Sequence, residues 1–183
     1  HGEIGKVSYV AEKAVADYID HLESTISSDL AGLHILVDCA NGASYTTAAR
    51  LFDQFPKLRT DVINADPDGV NINDKCGSTH LDSLAAMVKA GGYDIGIAFD
   101  GDADRCLAVD ELGNLIDGDQ VMAACGMDLK NKGRLPGSAV VATVMSNLGL
   151  HVFARENGLN IECTDVGDRN VLERMVEKGY VLG

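Results

Sequence analysis

IAFDGDADRCLAVD, residues 97–110, runs from an apolar stretch through three aspartates at alternate positions (Asp100, Asp102 and Asp104) and an arginine into a second apolar stretch. An apolar run that ends in a tight acidic turn is the pattern of a buried strand leaving the sheet of an α/β protein. Ligands of such sheets gather at the carboxyl ends of the strands. With Gly101 and Ala103 between them, the three carboxylates are expected to point at one place. Carboxylates that close repel one another and disturb one another's protonation unless a cation lies among them. Oxygen donors alone suit a hard ion, and Mg²⁺ suits carboxylates that share it with a phosphate. The plain alternative, a solvated acidic turn, is the better reading of a single Asp-x-Asp; three aspartates in series after a buried strand favour metal.

Working outward, YDIGIAFD (93–100) reads as the strand and HLDSLAAMVKAGG (80–92) as a helix stopped by glycines. DPDGVNINDKCGST (66–79) is a loop rich in turn residues. TDVINA (60–65) and LHILVD (33–38) are further strands, separated by a helix from about 44 to 55 that starts at CANGA. The opening segment places Val7, Val10, Ala14, Tyr18, Leu22 and Ile26 at three-to-four spacing, one apolar stripe of a long helix. Downstream, CLAVDELGNLIDGD is expected to be two strands joined by a turn at Glu111–Asn114. A helix (about 119–131), a strand (138–144), a helix (146–157), a strand (160–166) and a helix (169–178) follow.

Such alternation implies an α/β fold with helices on both faces of parallel sheets. The expectation is two tandem three-layer α/β/α domains with mainly parallel sheets, residues 1–116 and 117–183, the second incomplete. Its closing KGYVLG starts like a strand without follow-through, as in a chain that continues.

With 28 acidic against 15 basic residues and a net charge of −13, the chain lacks the positive face that nucleic acid or an anionic membrane would require. No apolar run approaches membrane-spanning length, and no signal-peptide core opens the sequence. The five scattered cysteines, without a Cys-x-x-Cys pair, suit reduced thiols in the cytoplasm, with Cys39, Cys106 and Cys125 as small core residues. Two other metal chemistries bear on the aspartates. An EF-hand loop would need glycine where Arg105 stands and helices where strands are expected, so it fails. A Mg²⁺ phosphohydrolase with Asp100 as attacking carboxylate and Asp102 as acid stays open on chemistry alone.

GIAFDGDADR resembles the metal-binding loop of the α-D-phosphohexomutases, D-G-D-G/A-D-R. VDCANGA (37–43), GVNINDKCGST (69–79), AVDELGNLIDGDQ (108–120), TVMSNLGL (143–150) and VGDRNVLERM (166–175) are similar to the bacterial phosphoglucosamine mutases within that superfamily. The likeness runs from about Ile4 to Gly183. It implies the second domain and most of the third of a four-domain isomerase that interconverts glucosamine 6-phosphate and glucosamine 1-phosphate, on the route to cell-wall amino sugars. Glucosamine 1,6-bisphosphate is the implied intermediate and primer. The resemblance implies one Mg²⁺ on Asp100, Asp102 and Asp104, Arg105 as the catalytic residue near the phosphoryl group, and Gly167, Asp168 and Arg169 in a loop facing the sugar phosphate. For Asp168 and Arg169 a helix N-terminal acid and a surface arginine explain the residues equally well.

No phosphoserine loop of the T-A-S-H-N kind occurs, and CGSTH (76–80) does not match one, so the nucleophile is expected in the missing first domain and the chain alone is expected to be inactive. The family's sugar-reading E-x-S-G-H segment and its fourth-domain phosphate clamp are absent as well. The expected partners are therefore a sugar phosphate and domains one and four of the same polypeptide. Neither nucleic acid nor membrane is expected, and a homodimer of the whole enzyme is admitted. Phosphomannomutase or phosphoglucomutase activity is the nearest alternative, because the metal loop is common to all three.

Overall fold

In the computed structural model, which describes residues 8–183, those residues divide into two compact units, the first ending at Leu115 and the second spanning Ile116–Gly183. The first opens with helix α1 (Ala11–Thr25). Strand β1 (His34–Asp38), a short helix α2 (Ala48–Phe52), β2 (Arg59–Ile63), helix α3 (Asp82–Gly91) and β3 (Ile95–Phe99) follow. A hairpin of β4 (Cys106–Asp110) and the two-residue β5 (Leu115–Ile116) ends this part. The sheet order is β2-β1-β3-β4-β5, with β1 parallel to both neighbours and β4 antiparallel to β3. Crossovers between parallel strands need intervening helices, which is what the alternation of elements supplies.

Because β1 lies between β2 and β3, it is buried on both faces, and Ile35–Val37 reads as a continuous apolar run. On one face Leu36, Ala98 and Val109 pack against Leu84 and Val88 of α3. On the other, Ile35 and Val37 pack against Ala48, Phe52 and Val62. Each fully buried side chain of this size is worth about 1.5–3 kcal/mol. The hairpin turn closes on Asp110, whose carboxylate accepts the amides of Leu112 and Asn114 at 3.0 and 2.7 Å.

Three expectations are corrected by the structure. The α1 stripe is displaced: Ile19 is buried and Val15, Leu22 and Ile26 are half-buried, while Val10, Ala14 and Tyr18 are exposed and Val7 lies outside the described residues. The buried set keeps helical spacing, but it places bulkier Val15 and Ile19 inward and leaves Ala14 and the Tyr18 hydroxyl in water. The helix expected over 44–55 is a 3₁₀ turn (Ala43–Thr46) followed by five residues of α-helix. Consecutive Thr46 and Thr47 account for the break, since their hydroxyls turn back onto the carbonyls of Ala43 and Ser44. Cys39 and Cys76 are buried, whereas Cys106 and Cys125, expected inside, are exposed together with Cys163.

The second unit contains α4 (Gly118–Asn131), β6 (Ala139–Thr143), α5 (Leu148–Glu156), β7 (Asn160–Thr164) and α6 (Asp168–Lys178). β6 and β7 are parallel. Asp117 and Gln120 form a reciprocal capping box at the start of α4. Val140, Ala154 and Leu159 centre its core, with Met122 and Phe153 packed around them. The final residues lie along β6, where the Val141 amide donates to the Leu182 carbonyl at 3.0 Å. The mostly parallel α/β architecture expected from the sequence is the one observed. No helix among the described residues is long and apolar enough to cross a membrane.

Candidate metal centre

The acidic turn begins one residue after β3. Asp100 is only 2% exposed, whereas Asp102 and Asp104 are open to solvent. The turn is tight: the Ala103 amide donates to the Asp100 carbonyl at 3.1 Å, and Ala103 takes a left-handed φ of 61°. Both oxygens of Asp100 are engaged by Arg105, Oδ1 with the backbone amide at 3.0 Å and Oδ2 with Nε at 2.8 Å. Asp104 lies 3.8 Å from the same Nε. Only the Nε corner of the guanidinium is held in this way, and among the described residues its Nη corner makes no hydrogen bond.

These contacts push the carboxyls apart in acidity. For Asp100, burial is the largest influence and would raise its pKa. The Arg105 amide, guanidinium hydrogen bond and charge together outweigh it, so Asp100 is held below the usual carboxylate range. Asp104 is pushed up, first by the negative charge of Asp102. Oxygens of Asp100, Asp102 and Asp104 lie within 4.8 Å of one another. An octahedral shell at about 2.1 Å spans about 4.2 Å, so small rotations of the two exposed side chains would close the set around one ion. A donor set of oxygens, without thiolate or imidazole, is the chemistry of a hard cation.

Two other segments hold the turn in place. Gly42 lies against it: a Cβ there would sit 2.3 Å from the Gly101 carbonyl oxygen, which accepts the Ala43 amide at 2.8 Å. From the other side Ile72 and Asn73 close over Gly101, where a Cβ would meet them at 2.7 and 2.8 Å. Gly77 has φ 73°, and a Cβ there would lie 2.5 Å from both Ala40 Cβ and the Phe99 carbonyl oxygen. Asp38, at the end of β1, is 1% exposed and accepts the amides of Ala40 (2.9 Å) and Gly77 (2.8 Å). Asn41 receives the Asp66 amide at 3.1 Å. A shallow apolar cleft of about 270 Å³, lined by Asn41, Gly42, Tyr45 and Ile72 among others, borders these residues.

Asp100, Asp102, Asp104 and Arg105 are thus brought together within the first unit. Gly167, Asp168 and Arg169 stand together in the second, at the carboxyl end of β7. There Gly167 (φ 128°) precedes α6, Asp168 and Arg169 are exposed, and Arg169 Nε pairs with Glu173 at 2.8 Å. The sequence reading assigned no role to Asp38, Gly42, Asn73 or Gly77. The available signals were an acid directly after the apolar run Ile35–Val37 and the glycines of CANGA and CGST.

The chain matches domain II of the phosphoglucomutase/phosphomannomutase family, an α/β/α domain, over residues 16–113 and domain III of the same family over residues 117–183. It belongs to that family. Among its relatives, a phosphoglucosamine mutase of Acetivibrio thermocellus is 55% identical over 94% of this chain and 38% of its own length. A phosphoglucosamine mutase of Clostridium novyi is 57% identical over 94% and 38%. This family member therefore spans well under half the length of those relatives. A crystal structure of a phosphoglucomutase/phosphomannomutase family protein from Burkholderia thailandensis superposes with a TM-score of 0.77 at 26% identity, covering 91% of this chain and 36% of that one.

Proposed function

We propose that this chain is the central part of a bacterial phosphoglucosamine mutase, with residues 1–116 as its second domain and 117–183 as part of its third. The whole enzyme would interconvert glucosamine 6-phosphate and glucosamine 1-phosphate in the cytoplasm, through a phosphoserine and glucosamine 1,6-bisphosphate. The observation that carries the reading is the convergence of three carboxylates at the end of β3, in a chain more than half identical to proteins of that name.

In this reading Asp100, Asp102 and Asp104 hold Mg²⁺, which when bound supplies positive charge beside the phosphoryl group in transfer. The other tasks fall to the chain's own groups. Asp100 anchors Arg105 through Nε, which leaves the two Nη groups to grip phosphoryl oxygens in a fork. Held on both sides, the turn pays little reorganisation when the ligand arrives. Gly167, Asp168 and Arg169, at a strand end followed by a helix N-terminus, would face the sugar phosphate. No serine of this chain is assigned as nucleophile, so the isolated chain would turn over nothing.

³¹P NMR of the whole enzyme, with Mg²⁺ and a trace of bisphosphate primer, tests the reading. The expected result is a 1-phosphate resonance growing much faster from glucosamine 6-phosphate than from glucose 6-phosphate. Preference for glucose 6-phosphate would overturn the substrate, and inorganic phosphate without either isomer would overturn the mutase chemistry.

A further inference from the structure

We infer that Asp38 is a positioning residue of the aspartate turn: its buried carboxylate fixes the segment that closes over Gly101 and thereby sets the affinity of Asp100, Asp102 and Asp104 for a divalent cation. The inference rests on the cation reading of those three aspartates. Asp38 ends the interior strand β1 and makes no ion pair among the described residues. Burying an unpaired carboxylate is expensive, several kcal/mol even in relaxed proteins, unless hydrogen bonds offset it. Its offset is two backbone amides from different places in the chain. The Ala40 amide binds Oδ1 at 2.9 Å and the Gly77 amide binds Oδ2 at 2.8 Å.

Those two bonds propagate. Ala40 is held at φ 54°, and its carbonyl accepts the Asn73 amide at 2.9 Å. The segment 73–77 is therefore tied to Asp38 at both ends, once through Ala40 and once directly at Gly77. Asn73, itself at φ 58°, lies with Ile72 over Gly101, between two of the ligating aspartates. Among the described residues the buried Asn73 Oδ1 has no hydrogen-bond partner, so this side chain fills space against the turn without a bond at that oxygen. In register, Asp38 pairs with Ala98, two residues before Asp100. A shift at Asp38 is therefore felt at the cation site through backbone and close packing, without contact with the ion.

The test is Mn²⁺ binding to the whole enzyme, followed by the loss of the free-ion EPR signal, with far-UV circular dichroism as the check on folding. Asp38→Asn keeps the shape but offers one acceptor oxygen to two amides. It is expected to weaken Mn²⁺ binding about tenfold, the lower end of what residues behind metal ligands contribute. Asn73→Gly keeps the left-handed backbone and removes the wedge over Gly101, and it is expected to weaken binding severalfold. This second variant keeps the test decisive if Asp38→Asn fails to fold. Asp61→Asn, remote from the turn, should leave Mn²⁺ affinity unchanged, which separates positioning from general stability. Unchanged affinity in folded Asp38→Asn or Asn73→Gly overturns the inference while the cation reading stands. Absence of Mn²⁺ binding by the unmodified whole enzyme overturns both.

Discussion

The turn after β3 and the turn after β7 occupy equivalent places at the ends of parallel strands, yet they are held by different means. Residues 100–105 are enclosed by segments far away in sequence: Gly42 on one side, Ile72 and Asn73 on the other. Thr164, the last residue of β7, is still tied to β6 and to Val144. Among the described residues, however, the hydrogen bonds of 165–169 reach no more than four positions away: the Asp168 carboxylate on the Arg169 amide, Glu173 on Arg169 and the Asn170 side chain on the Val166 carbonyl. In the proposed reading this difference fits the two ligands: a small cation tolerates little error in ligand placement, so a site for it belongs on a turn that packing has already positioned. The sugar phosphate proposed for the second turn would be larger and gripped at several points, and a turn with local bonds could adapt to it.

The largest expected effect falls on chemistry at the first turn. Asp102→Asn in the whole enzyme should reduce turnover about a hundredfold or more while leaving the circular dichroism spectrum unchanged. Near-normal turnover would remove the distinction between the two turns altogether. Next comes packing. Gly42→Ala forces a Cβ into the Gly101 backbone and should destabilise by about 3 kcal/mol in urea unfolding. Gly167→Ala meets only Asn170 at 3.5 Å and strains φ alone, so about 2 kcal/mol is expected. Equal losses would mean that the second turn is packed as tightly as the first.

Ala103→Gly acts in the opposite sense. Ala103 sits in the left-handed region, where a Cβ is unfavourable, and glycine there should stabilise by about 1 kcal/mol. A loss of stability would show that the Ala103 methyl packs against something that compensates for its strain.

The smallest effect probes the far end of the first unit's sheet. Asp61 is depressed below its ordinary value by hydrogen bonds, first from His34 and then from Tyr93. A depressed carboxylate contributes stability that is present above its unfolded pKa of about 3.9 and is lost as pH falls through the lower folded value. The melting temperature of the unmodified chain should therefore exceed that of Asp61→Asn at about pH 6, and the gap should close below about pH 4. Because Asp61 is largely exposed, the gap should be small. A gap that is constant with pH would mean that the cluster contributes through packing of the His34 and Tyr93 rings, 4.2 Å apart.

Much of the fold was legible because it depends on local patterns. LHILVD, TDVINA and YDIGIAFD carry apolar runs of strand length, and each became a strand. The stretch from Ser44 to Phe55 misled because its apolar content is helical, while Thr46 and Thr47 satisfy their backbone differently. The first helix was legible as a helix, but its buried side depends on what it packs against, and Ile19 faced inward where Tyr18 was expected.

What the sequence determined by itself is the order of strands and helices and the acidic turn at the end of one strand. Hydrophobic period, glycine stops and alternating aspartates are properties of short segments. What only the tertiary structure decided is which carboxylate is buried and what holds the turn. Asp38 meets Gly77 across 39 positions, and Gly42 meets Gly101 because the sheet order sets β1 beside β3. No local period encodes such approaches: they arise when distant backbones pack at a separation that only glycine permits.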